Sequence, residues 1–427
     1  MYPLRRLSQG RFLATCIAAA LIAFSAASRA LAASPTIVLQ EGNTSPDGSS
    51  YTSLRRPDSA GAGRTAFVGR TELTPGGIFL ASSAPGTAVA QRGQLILGAG
   101  VSIRRVFRPA ANVLGEASWQ ARVSDFGSGL FSTLASDTIV AARDQTVGAA
   151  TLEGFDRPAI SDNGDVVFYA RLSNLSETLF RCTGGDRNCY SGTGALQELV
   201  TLGDAYVDSV HAETRVICDL GEQIDASNWG IAFRARTAPL PVGCSGPAVE
   251  TILRMPFGGA IQTVATGGDL AKPFTGTRAY SRFDGPPEID NDGDVAVLGE
   301  TVDPVQEVIY FCDVLACPAD PAEAAVVQLQ DDGAGRTVTR FKAVGMSDAD
   351  DIVFQAVASG SDSKALGIYV ARAPSWTLER VAANGDAAPG GEYRRVGRPS
   401  MTSDGYIAFE GQLKGGTLSR FTLWVYQ

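Results

Sequence analysis

The chain has 427 residues, of which 44% are hydrophobic, and its 36 basic residues are outnumbered by 45 acidic ones. This acidic balance excludes general nucleic-acid binding, which needs positive charge to release counterions from phosphates. The 48 glycines indicate a chain with many turns, and a single histidine leaves little room for histidine-based catalysis.

The first 32 residues have the three parts of a secretory signal peptide. Arg5, Arg6 and Arg11 form a positively charged start, and an apolar run over residues 12–27 follows it. Ala30-Leu31-Ala32 then offers the small residues that a signal peptidase requires. We therefore predict cleavage after Ala32.

Two other interpretations of this segment are weaker. The apolar run is shorter than the ~20 residues that a membrane anchor needs. A lipoprotein site at Cys16 is disfavoured because Thr15 stands where a smaller residue is usual. We expect a soluble, exported mature chain, periplasmic or extracellular, without a membrane partner. Its net charge is lower still, since residues 1–32 carry four arginines and no acidic residue.

The cysteines agree with export. Once Cys16 leaves with the signal peptide, an even number remains, which is typical of disulfides in an oxidising compartment. Many pairings are possible, but proximity in sequence favours Cys182–Cys189, Cys218–Cys244 and Cys312–Cys317. A zinc site is the alternative, although the spacings match no common zinc pattern.

The rest of the chain contains seven copies of one unit, in which a Gly-containing turn leads into a strand with a large apolar residue. That position is held by Phe67, Trp119, Phe168, Phe233, Val297, Phe354 and Phe409. The turn glycine four residues earlier is Gly63, Gly115, Gly164, Gly293 and Gly405, with Trp229 and Asp350 in the other two copies. Two residues after the large position stands Gly or Ala in every copy, and alternate strand residues share a face. A large side chain beside a small one favours close packing between sheets.

A second recurring element, an apolar strand end followed by a polar turn, gives the phase of the repeat. It appears first at Val38, before any copy of the first element, and the chain ends on a strand after the seventh. The last unit therefore lacks a strand that the N-terminus can supply. We predict an all-β, seven-bladed β-propeller, a single domain over residues 33–427, closed by pairing of Thr36–Gln40 with Leu423–Tyr426.

The segments Asn112–Trp119 and Ser161–Phe168 carry a motif of the form Asn-x-x-Gly-x-x-Ala-Phe with conservative changes. In this respect the chain resembles the bacterial tandem-repeat proteins named for that motif. The resemblance implies an exported, propeller-like repeat protein and no established catalytic activity. Thr402–Phe409 is also similar to the propeller of periplasmic translocation-associated proteins. The chain ends on a strand at Gln427, where many relatives carry a surface-sorting segment, so we expect a free product.

Few residues suggest catalysis. His211 is the one histidine, it lies between the third and fourth repeats, and no Gly-x-Ser-x-Gly elbow accompanies it. We therefore predict no catalytic residue from sequence. Two facing carboxylates could still form a glycosidase site, but acidic residues are too common in these turns for sequence to choose a pair.

One turn has the spacing of a cation site. Asp290, Asp292 and Asp294 place oxygen donors at alternate positions, as in the start of a calcium loop. The distal Glu of an EF-hand is missing, since Thr301 stands there. A hairpin turn is therefore the favoured interpretation, and calcium is the one cofactor that the sequence leaves open.

Arginine recurs at one place in the repeat. It directly precedes Pro, just before the strand with the large residue, at Arg56, Arg108, Arg157 and Arg398. These belong to blades one, two, three and seven, which are contiguous in a closed ring, whereas the turns of blades five and six are acidic. The arginines either tie neighbouring blades together or form a basic arc that binds carboxylate or phosphate groups.

The leading functional hypothesis is a non-enzymatic binding or scaffold propeller outside the cytoplasm, whose partner is a small anionic ligand, a glycan or a protein. The alternative is a propeller hydrolase or lyase that acts on polysaccharide through paired carboxylates. Because propellers host both kinds of function, the fold does not decide between them. An open axial pocket with two close carboxylates would favour the enzyme.

Overall fold

The computed structural model describes residues 34–427 with gaps, and Pro35–Gln427 form one compact unit. The gaps are residues 97–99, 126, 134–137, 185, 192, 270–278, 303–304, 316–322, 328–329, 333–334, 361–363 and 415–420. The predicted signal peptide, residues 1–32, lies outside the described residues and stays a prediction.

The strands form seven antiparallel sheets, one for each blade of a propeller. The closing strand is β1 (Thr36–Gln40), and blade one contains β2 (Tyr51–Ser59), β3 (Thr65–Thr71), β4 (Gly77–Ala81) and β5 (Thr87–Gln91). Blade two contains β6 (Leu95–Ile96), β7 (Val101–Ala111), β8 (Ala117–Val123), β9 (Ser128–Ser132) and β10 (Thr138–Ala142). Blade three contains β11 (Thr146–Val147), β12 (Ala150–Phe155), β13 (Ala159–Ile160), β14 (Val166–Leu172), β15 (Glu177–Thr183) and β16 (Ala195–Thr201).

The remaining four blades follow the same plan. Blade four contains β17 (Ala205–Asp208), β18 (Glu213–Ala226), β19 (Gly230–Pro239), β20 (Val249–Pro256) and β21 (Gln262–Thr266). Blade five contains β22 (Tyr280–Ile289), β23 (Val295–Thr301), β24 (Gln306–Cys312) and β25 (Glu323–Val327), and blade six contains β26 (Thr337–Met346), β27 (Ile352–Ser359), β28 (Lys364–Arg372) and β29 (Thr377–Ala383). Blade seven contains β30 (Ala387–Ala388), β31 (Gly391–Val396), β32 (Ser400–Met401), β33 (Ile407–Lys414) and β34 (Phe421–Tyr426).

Helical structure is almost absent from the described part of the chain, where a single 3-10 turn covers Gly243–Ser245. Within those same residues, no helix has the length and apolarity that crossing a bilayer demands.

The large repeat position lies on the second full-length strand of each blade and is buried in all seven. It stacks on an aromatic ring of the next strand in several blades; the ring centroids of Phe67 and Phe79, for example, are 5.6 Å apart. The small residue that follows leaves room for that ring, because a Cβ added to Gly69 would lie 2.9 Å from Phe79. The repeat pattern thus encodes the packing within each blade.

The turn glycines of the repeat adopt the left-handed conformation that favours this residue. Their φ angles are positive at Gly63, Gly115, Gly164, Gly293 and Gly405. Asp350, which replaces glycine in blade six, also has a positive φ of 61°. Trp229, the other replacement, packs against the next blade, since a Cβ on Gly293 would lie 2.5 Å from its ring.

The ring closes as predicted. Strand β1 pairs antiparallel with β34, with Thr36 opposite Val425 and Leu39 opposite Leu423. Leu39 and Leu423 are fully buried. The N-terminal strand therefore completes blade seven and covers an edge that would otherwise be unpaired.

Two of the predicted disulfides are confirmed, Cys182–Cys189 and Cys218–Cys244. The first joins the end of β15 to the loop before β16, and the second joins β18 to the 3-10 turn. Cys317 lies outside the described residues, so the pair Cys312–Cys317 stays a prediction.

At one end of the ring, the turns that join the first and second main strands of the blades are linked to one another by hydrogen bonds. The backbone N–H of Asn228 donates to Asn291 Oδ1 at 2.8 Å, and that of Asn291 donates to Asp348 Oδ1 at 3.0 Å. Asp162 Oδ2 accepts from Ser403 Oγ at 2.6 Å and from Asn291 Nδ2 at 2.7 Å, which links blade three across the axis to blades seven and five. We call these five residues the collar; the opposite end, where the first main strands begin, is the mouth.

Candidate functional site

The first main strands of all seven blades surround an axial cavity of about 440 Å³. This volume lies within the range of small-molecule sites. The collar residues line one end, and the exposed side chains of Gln223, Lys342 and Arg398 line the other. The cavity is therefore bounded by hydrogen-bonded turns at the collar and by long polar side chains at the mouth.

One level of the cavity carries three carboxylates. On the second main strand of each blade, one residue comes directly before the large repeat position. The level consists of the first-strand residues that pair with it. Around the ring they are Asp58, Ala110, Ala159, Asp225, Glu288, Gly345 and Ser400. Two residues earlier along these strands, and therefore on the same face, stand Arg108, Arg157 and Arg398. The cavity thus brings acidic and basic groups together from different blades.

Asp225 and Glu288 form a carboxyl pair on adjacent blades four and five. Protein surrounds both groups, although their side chains keep some contact with the solvent of the cavity. Burial raises the pKa of Glu288 well above its usual value, and the neighbouring Asp225 raises it further. Burial also raises the pKa of Asp225, but the Ile289 N–H, which donates to Asp225 Oδ2 at 2.9 Å, opposes that shift. The two groups are therefore set to ionise separately, Asp225 more readily than Glu288.

Two arginines and the third carboxylate stand beside this pair. A guanidinium nitrogen of Arg157 lies 3.0 Å from Asp58 Oδ2, and one of Arg108 lies 3.7 Å from Asp58 Oδ1. Asp58 Oδ2 also accepts the Ala111 N–H at 3.0 Å, which fixes the carboxylate. The charge of Arg157, together with burial, lowers the pKa of Arg108 to about 10. The Nε–H groups of both arginines are buried and have no acceptor among the described residues.

The predicted arginine arc is present only in part. Arg108, Arg157 and Arg398 line the axial cavity, but Arg56 does not. At a bulge in β2, Arg56 takes a left-handed backbone conformation with φ of 54°, and its side chain is exposed in a neighbouring groove. The alternative interpretation also holds in part, because Arg108 and Arg157 both pair with Asp58 of blade one.

The carboxylates of the cavity were not identified from sequence, although a signal exists. Asp58 and Glu288 both stand nine residues before the large repeat position, at Phe67 and Val297. Alternation along a strand would have placed them on the face that carries the arginines. Asp225 stands eight residues before Phe233, because the turn of blade four is one residue shorter.

The three aspartates predicted to bind a cation do not all lie together. Asp290 and Asp294 lie together with Asp350, within 4.8 Å of one another, whereas Asp292 is exposed. The reason is a tight turn, in which Asp290 Oδ1 accepts the N–H groups of Asp292, Gly293 and Asp294. Burial raises the pKa of Asp290 to about 7 and that of Asp350 to about 6. Three carboxylate oxygens are half of the roughly six ligands that calcium needs at least.

His211 lies away from the cavity. Its Nδ1 is 2.7 Å from Asp208 Oδ2 and its Nε2 is 2.7 Å from Asp269 Oδ1. Burial disfavours the imidazolium, but these two hydrogen bonds outweigh it and raise the pKa of His211. Both ring nitrogens are occupied, which agrees with a structural role.

Comparison with known families gives limited information. Residues 311–427, from the end of blade five to the end of the chain, match a family of unknown function, DUF7453. No curated protein matches the sequence.

Several solved structures are similar in fold at low sequence identity. An oligogalacturonate lyase in complex with manganese is 10% identical, with a TM-score of 0.48 over 93% of this chain and 98% of the lyase. An ulvan lyase is 9% identical, with a TM-score of 0.40 over 91% of this chain and 96% of that one. Prolyl oligopeptidase B from Galerina marginata is 10% identical, with a TM-score of 0.43 over 87% of this chain and 50% of the peptidase. Similarity at this level carries no information on activity.

Proposed function

We propose that the chain is an enzyme that cleaves glycosidic bonds of an anionic polysaccharide in the axial cavity. The observation that carries this proposal is the carboxyl pair Asp225–Glu288, which lies in a ligand-sized cavity beside Arg108 and Arg157. Two carboxyl groups with different proton affinities are what acid–base cleavage of a sugar linkage needs. The arginines supply the charge that recognises an acidic sugar.

The roles follow from the surroundings of each group. Glu288 holds its proton and donates it to the oxygen of the leaving sugar. Asp225, whose charged form the Ile289 N–H supports, acts as the base. It takes a proton either from an attacking water, which gives hydrolysis, or from a sugar carbon, which gives elimination. Arg108 and Arg157 bind the substrate carboxylate, and Asp58 positions both of them.

The shape of the cavity favours attack at a chain end. Hydrogen bonds of the collar cross the axis through Asp162, so a polysaccharide cannot thread through the ring while they are intact. A chain end that enters from the mouth reaches the carboxyl pair before it reaches the collar. Short products, released one after another, are therefore expected rather than random internal cleavage.

The test is an activity assay on polygalacturonate and other acidic polysaccharides, with neutral glucans for comparison. Asp225→Asn and Glu288→Gln should each lower kcat/KM by about 100-fold or more, the usual contribution of a proton-transfer group. Glu392→Gln, which removes one charge from the surface of blade seven, is the matched control. Ultraviolet absorbance of an unsaturated product would distinguish elimination from hydrolysis.

Full activity in either cavity variant would refute the proposal. Binding of the polysaccharide without any cleavage would favour the other function, a binding propeller that uses the same arginines. Calorimetric titration of the wild-type protein, run beside the assay, separates these outcomes.

We also infer that the enzyme works outside the cytoplasm. The disulfides Cys182–Cys189 and Cys218–Cys244 support this inference, since such bonds persist in oxidising compartments. Expression of the full chain in a bacterial host, followed by N-terminal sequencing of the exported fraction, should give a protein that begins at Ala33. A chain retained in the cytoplasm with residues 1–32 attached would contradict it.

A further inference from the structure

A second concave surface lies at the mouth, between blades one and two. It encloses about 460 Å³ and is lined by Ser53, Val68, Pro75, Gly76, Val106, Phe107 and six arginines. The arginines are Arg55, Arg56, Arg70, Arg92, Arg104 and Arg105. We call this surface the arginine groove. All six arginine residues are exposed, in a chain whose net charge is −9.

These arginines are not engaged by carboxylates. No acidic residue is among the described residues that line the groove, and none of the six guanidinium groups forms an ion pair within that part of the chain. One backbone group of the groove does contact a carboxylate, since the Arg56 N–H donates to Glu410 Oε2 at 3.1 Å. Crowding of unpaired like charges costs free energy, which an anionic ligand would recover.

Arginine also occupies the equivalent position in blades five, six and seven. Arg105 lies opposite the residue three places after the large repeat position, and its counterpart in blade five is Arg282. Arg282 is neutralised, at 2.7 Å from Glu300 and 3.5 Å from Asp284. Blade six has Arg340 and blade seven has Arg395 at this place, and neither of them lines the groove. The six exposed arginines of the groove come from blades one and two and from the segment between them.

The next blades around the mouth carry a cluster of carboxylates, with Arg234 and Arg236 near Asp219. Asp156, Glu177, Asp219 and Glu222 lie close together in blades three and four. A hydrogen bond to Asp156 and repulsion among these groups raise the pKa of Glu222. An anionic chain that leaves the axial cavity is repelled from this side and attracted to the other. The charge pattern of the mouth therefore gives the chain a direction.

We propose that the arginine groove binds the acidic sugar units that lie outside the axial cavity, so that the protein holds an anionic polysaccharide along a path from the cavity across blades one and two. This inference rests on the proposed function in its choice of ligand. A bulge between Ile103 and Arg105 supports it locally, because two consecutive arginines of β7 can then both face the groove. The half-buried ring of Phe107, 4.9 Å from the Arg105 guanidinium, adds an apolar surface for a sugar ring.

The experiment measures affinity against ligand length. Polygalacturonate fragments of increasing length are titrated by calorimetry into Glu288→Gln, and into the same variant with Arg104→Gln and Arg105→Gln added. Affinity for Glu288→Gln should rise with length until the fragment covers the groove. Loss of the two arginines should weaken binding of long fragments about tenfold, more so at low salt, and leave the shortest fragment unaffected. The matched control carries Arg282→Gln and Arg340→Gln, at equivalent positions of blades five and six. Its affinity should still rise with fragment length.

Several outcomes would overturn the inference. Equal losses in the groove variant and its control would reduce the effect to net charge. A single-stranded oligonucleotide that binds as tightly as polygalacturonate of equal charge would point to a nucleic-acid partner. Dextran sulfate as a second probe shows whether sulfate replaces carboxylate, and failure of both probes removes the site. Cleavage by the wild-type protein is measured separately. If affinity rises with fragment length but no cleavage occurs, only the proposed function is refuted. If cleavage occurs but affinity does not rise with length, only the binding role of the groove is refuted.

Discussion

Asp225 and Glu288 occupy the same place on the first main strands of adjacent blades, Asp225 opposite Ala232 and Glu288 opposite Ala296. Equivalent places on neighbouring blades face each other around the axis. The negative charge of one group therefore opposes ionisation of the other, and burial opposes both.

This relationship predicts how stability depends on pH. Because the pKa of Glu288 is raised in the folded protein, the folded state binds more protons than the unfolded state above about pH 4.3, the ordinary value for Glu. Stability must then fall as the pH rises from there through the folded pKa. Glu288→Gln removes this loss, so the variant should resemble the wild type at pH 4 and be more stable than the wild type at pH 8. Thermal unfolding at several pH values measures the difference.

The control for this prediction is Glu392→Gln, which should leave the slope of stability against pH unchanged. A Glu288→Gln variant that is less stable than the wild type at pH 8 would show that Arg108 and Arg157 need the charge of Glu288. The carboxyl would then be ionised, and it could not act as the proton donor.

The fold, the arginines and the carboxyl pair differ in how far the sequence predicts them. The propeller and its closure followed from the repeat, since the spacing of Phe67, Trp119 and the later copies encodes both strand alternation and blade packing. Three of the four predicted arginines reached the cavity for the same reason. The fourth, Arg56, did not, because its φ of 54° at a bulge has no signature in the residue type.

The carboxyl pair shows a different limit. Glu288 keeps the common offset from the large repeat position, but Asp225 is shifted by a shorter turn, so a fixed spacing points to Ile224 instead. The raised pKa values depend on burial and on charged groups from other blades, which no single repeat reveals. The arginine groove likewise combines residues from two blades that each contain only a few arginines.

The closing strand predicts a large cost for a single substitution. Leu39 of β1 is fully buried opposite Leu423, so Leu39→Ala should lower the free energy of unfolding by about 3 kcal/mol, the usual cost of such a cavity. Thr36→Ala, at an exposed place on the same strand, should cost little. Urea unfolding monitored by tryptophan fluorescence compares the two. Equal, small effects would mean that β1 contributes nothing to the ring.

The two disulfides should contribute unequally. The residues of Cys218–Cys244 are 26 apart and those of Cys182–Cys189 are 7 apart, so the first bond restricts the unfolded chain more. By loop entropy, replacing both cysteines with alanine should cost about 3.5 kcal/mol for Cys218–Cys244 and about 2.5 kcal/mol for Cys182–Cys189. Unfolding of the two double variants under non-reducing conditions tests this order. The reverse order would indicate that local packing at Cys182, which is buried, outweighs chain entropy.

The bridge from Asp208 through His211 to Asp269 predicts a second dependence of stability on pH. Here hydrogen bonds raise the pKa and burial opposes them, whereas burial raises the pKa of Glu288. Hydrogen bonds to both carboxylates outweigh burial and raise the pKa of His211 above 6.5. The stabilisation is therefore complete below pH 6.5, the unfolded value, and is lost as the pH rises through the folded value. His211→Gln should cost on the order of 1 kcal/mol at pH 6 and clearly less at pH 9, since charge-assisted hydrogen bonds are stronger than neutral ones. Gln197→Ala, an exposed neutral control, should have the same small effect at both pH values in thermal unfolding. A cost of His211→Gln that does not change with pH would show that the imidazole stays neutral and joins the two loops only as an uncharged hydrogen-bond partner.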